Sequence, residues 1–263
     1  MTLDAMLVVA GAGTGVLVGM TGVGGGSVMT PLLLLVFGFA PASAIGTDLW
    51  FASFTKLAAT RVHHARGLID WQVVRRLWCG SLPASAITLA WMAYVPIGRE
   101  TETLLKASVA IAVLVTAASM LFQKQLHALG RGFRLHDSVH FKAMQAPLTV
   151  AAGALLGALV TLTSIGAGAL GVVFLAYLYP LRLTPSRLVA TDIVHAIPLA
   201  MFAGSGHLLM GNVDYALLAN LLVGSIPGVL VGAWLSAKLP YAMLRTALAC
   251  VLVFTGVKVL GSI

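Results

Sequence analysis

Two Thr-Asp pairs, Thr47-Asp48 and Thr191-Asp192, stand among apolar neighbours. A carboxylate in such surroundings is costly and is a functional candidate by default. Two roles are open to it. It can take up and release a proton, or it can cap a helix start by accepting backbone N–H bonds. His195 follows Asp192 by three residues, so both share one helix face. A proton relay between them is one reading, and a satisfied buried histidine is the other. Lys56 lies two turns beyond Asp48. It either draws anions toward the inner mouth or reaches to the membrane interface with its ammonium, and the second is preferred. A carboxylate beside an anion site repels the anion unless protonated. Asp48, Asp192 and His195 are therefore assigned to proton coupling or gating rather than to substrate contact. Asp48 is favoured over Asp192, because Lys56 shares its helix.

The second source of chemistry is glycine. The stretch "MTGVGGGSVMTP" at 20–31 holds four glycines and lies between two apolar runs. Irregular backbone in an apolar setting survives only when buried in protein or lining a cavity. Glycine permits such backbone and lets a ligand approach closely. The short segment after the break offers a helix N-terminus, with partial positive charge and free donors suited to an anion. "TGVGGGSV" from Thr21 is echoed by "TSIGAGAL" from Thr163. Two facing breaks would clamp one anion. The candidates on the first are Thr21, Gly22, Gly24, Gly25, Gly26 and Ser27, and on the second Thr163, Ser164, Gly166 and Gly168, with the hydroxyls of Thr47 and Thr191 nearby. The alternative is that these glycines only allow tight helix packing. That reading is better for Gly11, Gly15, Gly19 and Gly224, Gly228, Gly232, which have small-xxx-small spacing. Each hydroxyl alone also has a plainer use in bonding its own helix backbone.

The elements that must position these residues follow from composition. The chain of 263 residues is 59% hydrophobic and 9% charged, with mean hydropathy +0.99. Soluble domains carry about 25% charged residues, so the chain reads as an all-α integral membrane protein. About ten hydrophobic segments are expected, roughly eight full spans and two short or re-entrant ones near 28–38 and 169–180. The net charge of +8 marks cytoplasmic loops in such a chain, and nucleic acid is not an expected partner. With the N-terminus outside, one side receives Arg61, Arg66, Arg75, Arg76, Lys124, Arg131, Arg134, Lys142, Arg182, Arg187, Lys238 and Arg245, with Lys56 at the inner end of its segment. Only Arg99, Lys106 and Lys258 of the 16 basic residues fall on the other. Both termini are thus expected outside a cell (inner or plasma) membrane. The N-terminus carries Asp4 and no basic region, so a cleaved signal peptide is not expected. Cys79 and Cys250 have no pairing or metal spacing and read as small buried hydrophobes. Asp70 and Asp214 each precede an aromatic residue at a segment start and read as N-caps. His63 and His64 read as solvated loop residues.

The chain also repeats itself. A shift of 144 residues places Pro41, Thr47, Asp48, His63, Gly67, Asp70, Gly80, Ser81 and Pro83 on Pro185, Thr191, Asp192, His207, Gly211, Asp214, Gly224, Ser225 and Pro227. The glycine-rich stretches align at a shift of 142. Five segments per half is odd, so the halves insert in opposite senses. The basic loop "TRVHHARG" against the neutral "GSGHLLMG" agrees. The organisation expected is a first transmembrane repeat at 1–122, a basic cytoplasmic linker at 123–143 and a second repeat at 144–263. Inverted repeats with matching interrupted helices are the mark of secondary transporters, with sites near the midplane.

The glycine-rich "GVGGGSVMTP", the "AIGTD" at the next segment, the basic loop ending "GLIDWQ" and their echo after a basic central loop resemble the TauE/SafE family of sulfite exporters. The resemblance covers nearly the whole chain. It implies an exporter of a small sulfur-containing anion, sulfite or an organosulfonate. Members often carry a serine after the motif threonine; this chain has Asp48, echoed by Asp192. The expected partners are a small anion, a proton as coupling ion, the lipid bilayer and a second copy of the chain as a homodimer; no cofactor or metal is called for. An anion channel is the nearer alternative to a carrier. An intramembrane enzyme is not expected, because HExxH and GxSxG motifs are absent and the Ser205-His207 pair has no second base.

Overall fold

The structure is a computed structural model that describes residues 4–21, 26–62, 68–95, 98–136, 138–236 and 241–262. Among these residues there are eleven helices and no strand: α1 (Ala5–Thr21), α2 (Gly26–Leu35), α3 (Pro41–Val62), α4 (Trp71–Tyr94), α5 (Arg99–Leu121), α6 (Gln123–His136), α7 (Ser138–Thr163), α8 (Ala169–Leu178), α9 (Pro185–Leu209), α10 (Tyr215–Ser236) and α11 (Tyr241–Leu260). α2 and α8 have 10 residues each. At 1.5 Å per residue they reach about half of a 30 Å hydrocarbon core. Four helices among the described residues are long and apolar enough to cross: Arg99–Leu121, Phe141–Thr163, Pro185–Leu209 and Tyr215–Leu235. Shorter apolar helices run over Ala5–Thr21, Ala169–Leu178 and Thr246–Leu260.

The helix starts follow local chemistry. Pro41 and Pro185 open α3 and α9, where a missing N–H costs nothing. Asp70 caps α4 by accepting from Val73 N–H at 3.3 Å. Asp214 accepts from the N–H groups of Ala216 and Leu217, both at 2.9 Å, as α10 begins. Both aspartates are the N-caps their positions suggested.

In lipid the hydrophobic effect does not press helices together, so close packing of small residues must. α1 lies along α10. Added Cβ atoms at Gly11, Gly15 and Gly19 would strike the backbone at Leu221, Ser225 and Val229, and those at Gly224, Gly228 and Gly232 would strike Val8, Ala12 and Val16. α4 lies along α7 in the same manner, through Gly80, Gly153 and Gly157. At the 142 shift Gly19 corresponds to Thr161. There a hydrogen bond of 2.7 Å between Ser85 and Thr161 takes the place of glycine contact. α5 packs on α11 and α3 on α9. In the sets α1–α5 and α7–α11, the first helix of each packs on the fourth of the other.

One element is added and one expectation needs correction. The stretch read as a basic linker, 123–143, carries a helix. α6 occupies most of it and lies against α8, with His127 Nδ1 3.2 Å from the carbonyl of Ala176. Cys79 and Cys250 are exposed rather than buried. Thiols tolerate an apolar surface as well as an apolar core.

Candidate functional site

The break between α7 and α8 is fully described. α7 stops at Thr163, and Ser164, Gly166 and Gly168 adopt φ of 60°, 122° and 124°. The last two values lie where only glycine is comfortable. Thr163 stitches the end of α7: its hydroxyl donates to Leu159 O at 2.6 Å and accepts from Ile165 N–H at 3.1 Å. Ile165 is buried and joins a core cluster with Leu49, Val113 and Leu199. Gly171 N–H then bonds Gly166 O at 3.1 Å, closing the first turn of α8. Gly166 and Gly168 are thus non-helical and Ser164 is buried. In the other half Thr21 donates to Leu17 O at 2.6 Å, as Thr163 does to Leu159. Gly22, Gly24 and Gly25 lie outside the described residues. Gly26 is the first residue of α2 rather than part of the break, and Ser27 is buried beside it.

Asp48 and Asp192 are not caps. α3 and α9 begin at Pro41 and Pro185, so both aspartates sit about two turns inside. The prolines extend each helix at its start beyond where hydrophobicity alone begins. Both carboxyls are completely or almost completely buried. Thr30 Oγ1, in α2, donates to Asp48 Oδ2. Asp48 Oδ1 makes no hydrogen bond among the described residues, and the Ser164 hydroxyl of the second break lies beside this carboxyl. Asp192 differs. Neither of its oxygens makes a hydrogen bond among the described residues. Its Oδ1 presses on Gly171 in α8, where any Cβ would collide with it. The 142 shift explains the contrast, because Thr30 corresponds to Val172 and Met29 to Gly171. Val172 offers no hydroxyl there, and Gly171 leaves room for the carboxyl.

Lys56 does not reach the interface. It is 3% exposed, and Nζ donates to the carbonyl of Ala167 inside the second break at 3.0 Å. The charges of Asp192 and Asp48 both act on it. A carbonyl and two carboxylates hold the ammonium inside more firmly than interfacial water draws it out. At the 144 shift its counterpart is Ala200, so one lysine faces carboxylates of both halves. His195 is buried and bonds Ser81 through Nε2 at 3.0 Å rather than Asp192.

Thr47 and Thr191 join the halves. Thr191 Oγ1 accepts from Asp70 N–H at 3.1 Å, and Thr47 Oγ1 accepts from Asp214 N–H at 3.0 Å. The same bond is made twice, with the partners exchanged. Asp70 is also gripped by Arg182, Nε to Oδ2 at 2.6 Å and Nη2 to Oδ1 at 2.9 Å. Tyr179 lies below this pair and accepts from Arg76 at 3.1 Å. Thr30, Ser81 and Arg182 escaped the sequence reading. For Arg182 the signal was available: its counterpart is Gly38, so the two Asp-capped turns cannot be held alike. Ser205 and His207 do not form a pair. Ser205 is exposed and donates to Met201 O, whereas His207 is buried with Nε2 2.9 Å from Thr161 O.

Comparison with known proteins gives the same direction. The family described as "Sulfite exporter TauE/SafE" matches residues 7–259. "Probable membrane transporter protein YjnA" of Bacillus subtilis (strain 168) is 34% identical over 98% of this chain and 100% of its own length. "Probable membrane transporter protein YdhB" of the same organism is 27% identical over 89% of this chain and 91% of its own. "Probable membrane transporter protein YunE" is 25% identical over 97% and 96%. No solved structure matches the chain.

Proposed function

Because this chain belongs to the sulfite exporter TauE/SafE family and is a multi-pass membrane transporter rather than an enzyme, we propose that it is a proton-coupled carrier exporting a small sulfur-containing anion, sulfite or an organosulfonate. Its site is near mid-membrane, where the break between α7 and α8 approaches Lys56 and Asp48, with Asp192 facing the same lysine. One observation carries this reading: the break between α7 and α8 is unwound, buried, and bordered by ionisable side chains that come from both halves. Unwound backbone at membrane depth needs such burial or a cavity, and intramembrane carboxylates belong to ion pathways. In proteoliposomes with a proton gradient imposed in either direction, inside-loaded sulfite, thiosulfate, organosulfonates and carboxylates serve as a panel. The expected result is gradient-driven export of one or more sulfur anions and no export of carboxylates. Flux indifferent to the gradient would make the protein a channel, and carboxylate-only flux would reject the substrate class.

The architecture that fits this function is a pair of inverted five-helix repeats, α1–α5 and α7–α11, with both termini outside and α6 in the cytoplasm. The exchanged α1–α10 and α4–α7 packing and the exchanged threonine bonds support it. In a background lacking Cys79 and Cys250, single cysteines at Ala65 and Leu209 are expected to label from opposite sides of the membrane. Labelling from one side would end the inverted arrangement.

A further inference from the structure

We propose that Lys56 is the anion-recognising side chain of this carrier and that the incoming anion competes with Asp192 for it. The inference rests on the transport reading above and names the charge class it handles. Lys56 is the one buried lysine or arginine among the described residues. Its ammonium is held at the unwound backbone, on Ala167 O, immediately before the first turn of α8. The carboxylate facing it from the other half, Asp192, has no hydrogen bond to either oxygen among the described residues. A buried carboxylate held by charge alone is a displaceable partner, because no directional bond has to be broken. Asp48, in contrast, is fastened by Thr30. Ser164 adds a buried hydroxyl on the same break, beside the Asp48 carboxyl and without a hydrogen bond among the described residues.

An oxyanion entering here would take charge-assisted bonds from Lys56 and a bond from the Ser164 hydroxyl. The displaced Asp192 carboxylate is then uncompensated in apolar surroundings, and it takes up a proton from water. Asp48 on the same helix as Lys56, and His195 on α9, are the other titratable groups whose surroundings include Lys56. One cation released by one carboxylate balances one negative charge. The class is therefore a singly charged oxyanion, a sulfonate or hydrogensulfite, and each anion bound brings one proton.

The experiment uses the full chain with methanesulfonate and sulfite as probes. It reads thermal stabilisation in detergent and flux in proteoliposomes. Lys56→Met is expected to lose both by at least tenfold, and Lys56→Arg to keep both within tenfold. The charge-balanced Lys56→Met/Asp192→Asn variant should fold as well as wild type and remain unable to bind. Asp192→Asn alone should bind at least as tightly as wild type, since the competitor is gone. Recovery of binding in the double variant would overturn the inference, because Lys56 would then be a structural partner of the carboxylate. Tenfold weaker binding in Asp192→Asn would overturn it too. Wild-type transport with an equally active Lys56→Met leaves the transport reading standing and removes Lys56. A wild type that neither binds nor moves either probe overturns both.

Discussion

Gly171→Ala is expected to reduce proton-driven transport at least tenfold while the protein still inserts and purifies. A Cβ at this position lands on the Asp192 carboxyl, with Cγ at 3.0 Å and Oδ1 closer still. The aspartate side chain is short, so it cannot swing its end away without leaving its place opposite Lys56. Overpacking of this kind costs about 1–3 kcal/mol, which a folded membrane bundle survives. The same displacement removes the carboxyl from the one position where it meets both α8 and the lysine. Gly13→Ala is the control: that glycine also lies in a helix, and a Cβ there meets nothing within 4 Å. The measurement is initial flux in proteoliposomes beside size-exclusion profiles of both variants. Unchanged flux in Gly171→Ala with a normal profile would show that the position of Asp192 does not matter to transport.

The helices were legible because lipid imposes a simple requirement. Every spanning segment must be apolar and satisfy its own backbone, so hydropathy and glycine interruptions mark the elements directly. The shortness of α2 and α8 was readable in the same way. α6 was not, because it is polar and its helicity is supported by lying on α8, with Gly130 against the backbone of Tyr177. α3 starts at Pro41 and α9 at Pro185. Proline reads as a break, yet at a first turn it is a good opening residue. These starts put Asp48 and Asp192 inside their helices, which removes the capping alternative the sequence had left open beside proton coupling or gating.

The side-chain partners were illegible for a different reason. Lys56 meets a carbonyl 111 residues away, His195 meets Ser81 114 residues away, and Thr47 meets an N–H 167 residues away. Each of these contacts joins one half of the chain to the other. Sequence patterns report periodicity within a segment, so they describe the faces of α3 and α9 but not what those faces meet. The repeat alignment was the one long-range signal available. It set Thr47 against Thr191, two residues that make the same bond with partners exchanged, and it could have exposed the contrasts of Thr30 with Val172 and of Lys56 with Ala200.

Asp192→Asn is expected to uncouple transport from the proton gradient, with anion exchange continuing, whereas Asp48→Asn should slow transport but leave it proton-driven. Sequence alone favours Asp48, since Lys56 lies on its helix; the hydrogen bonds shift the weight. Asparagine at 48 still presents an oxygen to the Thr30 hydroxyl, so the tie from α3 to α2 survives. A neutral side chain of equal size at 192 keeps the packing against Gly171 and has no hydrogen bond to lose among the described residues. It loses only the ability to carry a charge or a proton. An ionised group at mid-membrane costs about 3 kcal/mol, so a residue that exchanges its partner for a proton saves that cost on each cycle, and asparagine cannot make the exchange. The measurement compares anion accumulation driven by a pH gradient with anion counterflow at equal pH. Asp192→Asn should retain counterflow and lose accumulation by at least tenfold. Accumulation unchanged in both variants would leave the two aspartates as structural partners of Lys56, and loss in Asp48→Asn alone would return the coupling role to the first half of the chain.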